Sequence, residues 1–257
     1  MGSESVKVSK SGSILHVEFN RPDKKNALTR EMYNASTEAL KEAKEDGDTR
    51  VVLFSGAGGN FTSGNDVIDF MQEPPTGTDS PVFRFLMELV HFPKPVVSAV
   101  HGVAVGLGTT MLLHCDLAYA GESAMFQMPF TRLGLCPEAG SSLLVPQMVG
   151  HVRAVELLLL GEKFNAATAK ECGFVNQVCA DDALLDRAFE QANKLAELPP
   201  SAVRLTKALM KQGKEPRLSE MLQTEGDHFM ERLTSPEAAE AFTAFAERRK
   251  PDFSQFK

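Results

Sequence analysis

The sequence predicts an α/β protein whose C-terminal third is largely helical. Two apolar runs, at residues 51–54 and 96–100, have the length and composition of buried β-strands, and a glycine-rich loop follows each of them. Beyond residue 162, apolar residues instead recur every three or four positions, as in residues 184–195, which is typical of amphipathic helices. A length of 257 residues allows one large core or two domains.

The N-terminal elements are predicted to be a β-hairpin and a helix. Apolar and polar residues alternate on both sides of a glycine-containing turn at residues 11–13. Thr29 is a good N-cap, so we expect a helix from there to about Lys44, before the first buried strand. The segment 74–80 carries two prolines and a glycine among small polar residues, which predicts an exposed surface loop.

After the second buried strand, the pattern of strand, strand and helix recurs loosely. We expect a short helix near residues 107–114, strands at 117–120 and 126–128, a helix that begins near Pro137, and a strand at 174–178. Proline suits the first turn of a helix, because the N–H that it lacks would have no partner there.

The composition is that of a soluble globular protein. Hydrophobic residues make up 43% of the chain and charged residues 24%, which excludes disordered and collagen-like proteins. With 27 basic and 34 acidic residues the net charge is −7, which disfavours nucleic acid as a partner.

We find no uncharged apolar run of about 18 residues, no secretory leader and no Ser-Lys-Leu ending, so we expect a cytoplasmic protein with no membrane partner.

The cysteines and histidines show no disulfide or metal-binding pattern. The four cysteines lack a C-x-x-C pair, which predicts reduced thiols. The six histidines show no H-x-x-x-H spacing, so we predict no metal site. Cys136 has no neighbouring histidine in the sequence and is expected to be a small apolar wall residue, not a nucleophile.

The glycine-rich loops fit neither of the common nucleotide motifs. A dinucleotide fingerprint that begins at Gly56 fails because Phe61 stands at its third glycine, and a P-loop fails because Asn65 stands in place of the lysine. The turns at residues 63–66 and 102–108 instead lead from strands into helices, where unpaired N–H groups favour negative charge. Two such turns that face one point would make an oxyanion hole. The alternative is that they are tight turns without a ligand.

These turns stand within a larger set of motifs. In chain order, the motifs are Glu-Phe-Asn-Arg-Pro at 18–22, Asn-Ala-Leu at 26–28, Phe-Thr-Ser-Gly-Asn-Asp at 61–66, Pro-Lys-Pro through His-Gly-Val-Ala-Val-Gly at 93–106, and Cys-Asp-Leu-Ala-Tyr-Ala at 115–120. In this combination they resemble the crotonase, or enoyl-CoA hydratase/isomerase, superfamily. The resemblance implies a spiral of ββα units at residues 1–195 and a C-terminal helical trimerisation region at 196–257. It also implies a homotrimer or a dimer of trimers that acts on acyl-CoA.

The resemblance implies a set of site residues as well. Two backbone N–H groups that stabilise a thioester enolate fall on Asn65 and Leu107. Lys24 and Lys25 either meet the CoA phosphates or form a solvated turn. The residues that the resemblance assigns to substrate binding are Lys25, Ala27, Ser63, Gly64, Asn65, Asp66, Val67, Gly106 and Leu107. The Phe and Met side chains that either line an acyl tunnel or form the core face of a helix are Phe70, Met71, Phe83, Phe85 and Met87.

The carboxylates decide which reaction the resemblance implies. Hydratases of the family activate water with two glutamates, and the matching positions here hold Thr110 and Phe130. Neither side chain can act as a general acid or base, so hydratase activity is expected to be poor or absent. One acid remains in the right region, Glu138, which Pro137 would place at the start of a helix. A solvated glutamate that stabilises the helix dipole is the alternative interpretation of Glu138.

Residues 128–142, together with the turn at 63–66, resemble the Δ3,Δ2-enoyl-CoA isomerases of the peroxisomal type. That resemblance implies that Glu138 is a base that moves a proton from C2 to C4 of a 3-enoyl-CoA to give the trans-2-enoyl-CoA of unsaturated fatty acid β-oxidation. It implies no cofactor other than the CoA of the substrate. Two alternatives stay open. One is hydration, dienoyl isomerisation or thioester hydrolysis with Glu122 or Glu171 as a second proton relay, and the other is non-catalytic binding of acyl-CoA or RNA.

Overall fold

Two β-sheets form the frame of the molecule. A computed structural model describes residues 3–73, 77, 79–213 and 215–256. The strands in chain order are β1 (Val6–Ser11), β2 (Ile14–Phe19), β3 (Val51–Gly56), β4 (Val96–Val100), β5 (Val103–Val105), β6 (Leu117–Gly121), β7 (Met125–Gln127), β8 (Phe164–Asn165) and β9 (Gln177–Cys179). The larger sheet has the order β1-β2-β3-β4-β6-β9 and the smaller sheet β5-β7-β8. In the larger sheet β1 is antiparallel to β2, and all other neighbours are parallel.

Helices make most of the connections and the C-terminal region. They are α1 (Arg30–Glu45), α2 (Val67–Gln72), α3 (Pro81–Val90), α4 (Leu107–Thr110), α5 (Ser141–Val149), α6 (His151–Val155), α7 (Ala166–Glu171), α8 (Leu184–Glu197), α9 (Pro200–Gln212), α10 (Glu215–Leu233) and α11 (Pro236–Ala246). A 3₁₀ turn (Met111–His114) extends α4, and a π-helical turn (Glu156–Leu160) extends α6. Within the described ranges, no helix combines the length and the apolarity that a membrane span needs.

Both faces of the larger sheet are buried at its central strands β3 and β4. Successive side chains of a strand point to opposite faces, so Val52 and Phe54 enter the main core with residues of α1 and α3. Val51 and Leu53 pack on the other face against Ala188 and its neighbours on α8. This two-sided burial explains why residues 51–54 of β3 are all apolar and why Ser98 is the one polar residue of β4. It confirms the two predicted strands and the predicted apolar stripe of residues 184–195.

The predicted N-terminal hairpin and first helix are confirmed. β1 and β2 pair around the turn at residues 12–13. The Thr29 hydroxyl accepts a hydrogen bond from the Met32 N–H at 3.3 Å, and α1 ends at Glu45, next to the expected Lys44. An N-cap of this kind stabilises a helix by about 1 kcal/mol.

The helix predicted near Pro137 was placed wrongly, because α5 begins at Ser141. Ala139 and Gly140 have φ values of +58° and +70°, which a right-handed helix does not allow, so Glu138 lies before the helix. The strand predicted at 174–178 begins only at Gln177, and the helix predicted near 107–114 is α-helical only to Thr110. Of the loop predicted at 74–80, residues 74–76 and 78 lie outside the described residues. The boundary at residues 195/196 stays a prediction.

Candidate active site

Among the described residues, the turn at residues 63–66 leaves one backbone N–H without a protein partner. The Leu28 N–H donates to the Gly64 carbonyl at 2.8 Å, and the Asp66 N–H donates to the Leu28 carbonyl at 2.9 Å. These two bonds form a parallel bridge, in which the N–H of Asn65 points away from Leu28. The N–H of Asn65 has no acceptor in the described part of the chain.

A second turn presents a similar N–H at the start of α4. The N–H groups of Thr109 and Thr110 donate to the Gly106 carbonyl at 2.9 and 3.0 Å, which fixes the first helical turn. Leu107 is the first residue of α4, so its N–H has no helical partner. Among the described residues nothing else accepts a bond from it.

Gly64 holds the two turns in contact. A Cβ atom at this position would lie 2.7 Å from the Val105 carbonyl oxygen, and the φ of Gly64 is +87°. Both facts require glycine, because a side chain would push the second turn away. The unpaired N–H groups of Asn65 and Leu107 therefore belong to turns that touch each other, as the two halves of an oxyanion hole must.

Glu138 lines a cavity beside these turns. The Thr110 hydroxyl, on the helix that Leu107 begins, donates a hydrogen bond to Oε1 of Glu138. Burial raises the pKa of Glu138 to about 8, the Thr110 hydroxyl lowers this pKa, and the nearby Glu225 carboxylate raises it. A carboxyl group with such a pKa can both take and return a proton near neutral pH.

The cavity has a volume of about 60 Å³ and mostly apolar walls. Phe70 and Phe83 contribute to these walls together with Leu222, Phe229 and Met230 of α10. The carboxyl groups of Glu138 and Glu225 and the amide of Asn65 are among its polar lining groups.

Three of the five side chains considered as a possible lining of an acyl tunnel do not line this cavity, namely Met71, Phe85 and Met87. Phe85 belongs to the core, 54% of Met71 is exposed to solvent, and Met87 is half-buried on the same helix as Phe85. The core-face interpretation is therefore confirmed for Phe85, whereas Phe70 and Phe83 line the cavity of Glu138 and their role as an acyl-tunnel lining stays a prediction.

Tyr33 orients the side chain of Asn65. The buried Tyr33 hydroxyl donates to Oδ1 of Asn65. Burial and the carboxylates of Glu138 and Asp69 raise the pKa of Tyr33 well above its ordinary value, so the phenol stays protonated. The phenol can therefore serve as a permanent donor to the Asn65 amide.

The loop at residues 24–27 lies against the first turn. The Ser63 N–H donates to the Lys25 carbonyl at 3.0 Å, and Nη1 of Arg21 donates to the Ala27 carbonyl at 2.6 Å. The side chain of Lys25 is exposed. Asp66 caps α2 by accepting from the N–H groups of residues 68 and 69, and it pairs with Arg21 at 3.0 Å. The structure thus brings Lys25, Ala27, Ser63 and Asp66 together, and Val67 packs against the core.

Glu225 and His114 are site residues that sequence reasoning missed. The Glu225 carboxylate accepts from the Gly140 N–H at 2.6 Å and from the N–H and hydroxyl of Ser142 at 2.9 and 2.5 Å. His114 donates through Nε2 to the Ala139 carbonyl at 2.8 Å. Glu225 lies 85 residues from Gly140 in the sequence, so no local pattern could have found this contact.

The thiol of Cys136 is not set up as a nucleophile, and its expected role as a wall residue stays a prediction. Burial raises the pKa of its thiol to about 11, so the reactive thiolate is scarce at neutral pH. The four cysteines are free thiols, as predicted. Within the described ranges, no three His, Cys, Asp or Glu side chains form a group that could hold a metal ion.

Comparison with known proteins assigns the family. Residues 9–256 match the family model described as enoyl-CoA hydratase/isomerase. The chain belongs to the crotonase superfamily. The structure of OdaA from Pseudomonas aeruginosa has a TM-score of 0.93 and 49% sequence identity, and the match covers 95% of this chain and 99% of that one. The predicted crotonase fold, a mixed α/β core with a C-terminal helical region, is therefore confirmed.

Two curated relatives have names that describe isomerases. Enoyl-CoA delta isomerase 2 of Rattus norvegicus is 35% identical over 253 residues, which are 96% of this chain but 64% of that protein. The crotonase chain thus spans less than two thirds of this relative. The 1,2-epoxyphenylacetyl-CoA isomerase of Escherichia coli (strain K12) is 35% identical over 249 residues, 94% of this chain and 95% of that protein.

The carboxylates considered for a second proton relay lie elsewhere in this crotonase. Glu122 is exposed in the connection between β6 and β7, and Glu171 is exposed at the end of α7. Neither lines the cavity of Glu138. Phe130, at one of the two hydratase glutamate positions, is buried in the core.

Proposed function

We propose that this crotonase acts on acyl-CoA and moves the double bond of a 3-enoyl-CoA to give the trans-2-enoyl-CoA, a step of unsaturated fatty acid β-oxidation. The observation that carries the proposal is the hydrogen bond from Thr110 to Glu138. It ties a buried carboxyl group of raised pKa to the helix whose first residue, Leu107, offers an unpaired N–H.

In the proposed mechanism, the thioester oxygen accepts hydrogen bonds from the N–H groups of Asn65 and Leu107. Ionised Glu138 removes a proton from C2, and the negative charge spreads over the thioester oxygen, C2 and C4. The two N–H groups stabilise this dienolate where its charge develops. Glu138 then returns the proton to C4, so the double bond ends between C2 and C3 and the base is regenerated.

The surrounding groups support a single shuttling base. The mostly apolar walls would lower the local dielectric constant around a bound substrate, which strengthens the electrostatic effect of the two N–H groups. Addition of water would need a second acid or base, and the hydroxyl of Thr110 is already engaged with Glu138. No proposed step calls for a metal ion or a redox cofactor.

The parts of the proposal outside the reaction centre rest on the family. The exposed Lys25 side chain would meet the phosphates of CoA, while Ala27, Gly64 and Gly106 shape the entrance with the backbone of the two turns. The active assembly would be a homotrimer or a dimer of trimers in the cytoplasm. These proposals concern the 257-residue chain alone, which spans 64% of the rat relative.

The experiment is incubation of the purified protein with trans-3-hexenoyl-CoA. Absorbance follows the conjugated 2-enoyl thioester, and mass spectrometry detects added water. We expect conjugation without a gain in mass. A product heavier by one water would contradict the isomerase and favour hydration, whereas binding without any product would favour the non-catalytic alternative.

A further inference from the structure

The turn that carries Glu138 has a backbone that needs external support. Ala139 has a φ of +58°, in the left-handed region that side-chain-bearing residues rarely adopt, and Gly140 follows with a φ of +70°. Glu138 precedes these two residues directly. A small change of this backbone would move the carboxyl group relative to Asn65 and Leu107.

Two buried side chains from distant elements hold this turn. The Glu225 carboxylate on α10, which is 5% exposed, receives the N–H groups of Gly140 and Ser142 and the hydroxyl of Ser142. His114, which is 3% exposed, donates to the Ala139 carbonyl. Burial lowers the pKa of His114 to about 4, so it is a neutral donor at the pH of the reaction.

Glu225 also shares the cavity with Glu138. Both residues line the same apolar space, and the charge of Glu225 raises the pKa of Glu138. The three hydrogen bonds from Gly140 and Ser142 occupy the Glu225 carboxylate, which makes it a poor candidate for a second proton shuttle.

We propose that Glu225 is a positioning residue for Glu138: from helix α10 it fixes the turn that carries the base and adds a second carboxyl group to the cavity that both residues line. This inference rests on the proposed function, because it assigns to Glu225 a role that acts through Glu138. It gives two effects, one on the location of the base and one on its protonation, and Glu225→Gln also removes one acceptor for the N–H groups of the turn.

The effect on protonation has a defined sign. Burial raises the pKa of Glu225 itself, and the hydrogen bonds from Ser142 and Gly140 lower it. Where Glu225 is ionised it raises the pKa of Glu138, so the neutral side chain of Glu225→Gln should lower the pKa of Glu138. Tyr33 from α1, Thr110 from α4 and Cys136 in the same segment also face Glu138. Burial raises the pKa of both Tyr33 and Cys136, so these two groups are neutral near neutral pH and add no charge beside Glu138.

The test measures kcat, KM and the pH profile of trans-3-hexenoyl-CoA conversion in four proteins: wild type, Glu225→Gln, Glu225→Ala and the control Glu220→Gln, which alters an exposed glutamate of the same helix. The acid limb of a pH profile is the range in which activity falls as the pH is lowered. We expect the acid limb of Glu225→Gln to lie at lower pH than that of wild type. We expect Glu225→Ala to lose about 100-fold in kcat with a much smaller change in KM, because it releases the turn and displaces the base. Glu220→Gln should behave as wild type.

Well-folded Glu225→Gln and Glu225→Ala proteins with the wild-type kcat and acid limb would overturn the inference. If thermal melting shows that both fail to fold, Ser142→Ala replaces them, since it removes one of the three bonds and keeps the charge. It should lower kcat about three- to ten-fold, and an unchanged kcat would again overturn the inference. Absence of turnover in wild type would instead refute the proposed function, and the positioning role with it.

Discussion

The protonation of Glu138 should set the pH dependence of the reaction. A base must be ionised to accept a proton, and the pKa of this group is raised to about 8, mainly by burial. Since a raised pKa keeps the carboxyl group neutral below that value, activity should rise with pH up to about 8 and then level. Below this range, kcat/KM should fall about ten-fold for each pH unit.

Thr110→Val tests the electrostatic partner of this base. The Thr110 hydroxyl lowers the pKa of Glu138, so replacing it with a methyl group should move the acid limb to higher pH, the opposite of the direction expected for Glu225→Gln. At pH 7 we expect kcat/KM to fall about ten-fold. The measurement is a pH profile beside that of Thr243→Val, an exposed site on α11. If the acid limb of Thr110→Val coincides with that of wild type or lies at lower pH, the Thr110 hydroxyl does not lower the pKa of Glu138.

At the residue scale, the sequence predicts the residues that would contact the substrate but not the buried side chains that hold those residues in place. The roles proposed for Asn65, Leu107 and Glu138 come from the resemblance to the crotonase superfamily, because the local patterns alone also allow tight turns without a ligand and a solvated glutamate. Glu225 and His114 act on the same turn from 85 and 25 residues away. Such contacts depend on how helices pack, which local patterns do not specify.

At the element scale, the two turns should tolerate no side chain where they meet. Gly64→Ala would place a Cβ atom 2.7 Å from the Val105 carbonyl oxygen, at a φ of +87°. We expect the turns to separate and kcat to fall about 100-fold or more, as on loss of an oxyanion donor. The matched control is Gly47→Ala, at a position with open space around it. Wild-type kcat in a stable Gly64→Ala protein would refute the role of these turns.

The elements show which signals of a sequence are reliable. Thr29, the apolar strands β3 and β4, and the stripe of α8 were predicted well, because capping and periodicity are local properties. The start of α5 was missed because Pro137 is favourable in a first helical turn, yet tertiary contacts hold Ala139 and Gly140 in left-handed conformations. The deviation from local preference coincides with the proposed base, as is common at functional sites.

At the scale of the whole molecule, helix α9 should contribute to an oligomer interface. Leu205, Leu209 and Met210 are 61%, 60% and 73% exposed on this helix, which is a large apolar surface for an isolated chain. We expect analytical ultracentrifugation to find three or six chains per particle. Leu205→Lys with Leu209→Lys should shift the population to smaller species, whereas Ser201→Lys, at an exposed polar site, should not. A monomeric wild-type protein would contradict the expected assembly.

The central claim is that Glu138 is the base of the reaction. The most direct test compares kcat of Glu138→Gln with that of Glu122→Gln on trans-3-hexenoyl-CoA, at equal folded concentration and at pH 8. Glu138→Gln should lose about 10²- to 10⁴-fold in kcat with little change in KM, as expected when a general base is removed, and Glu122→Gln should match wild type. A Glu138→Gln protein that turns over within two-fold of wild type would contradict the account.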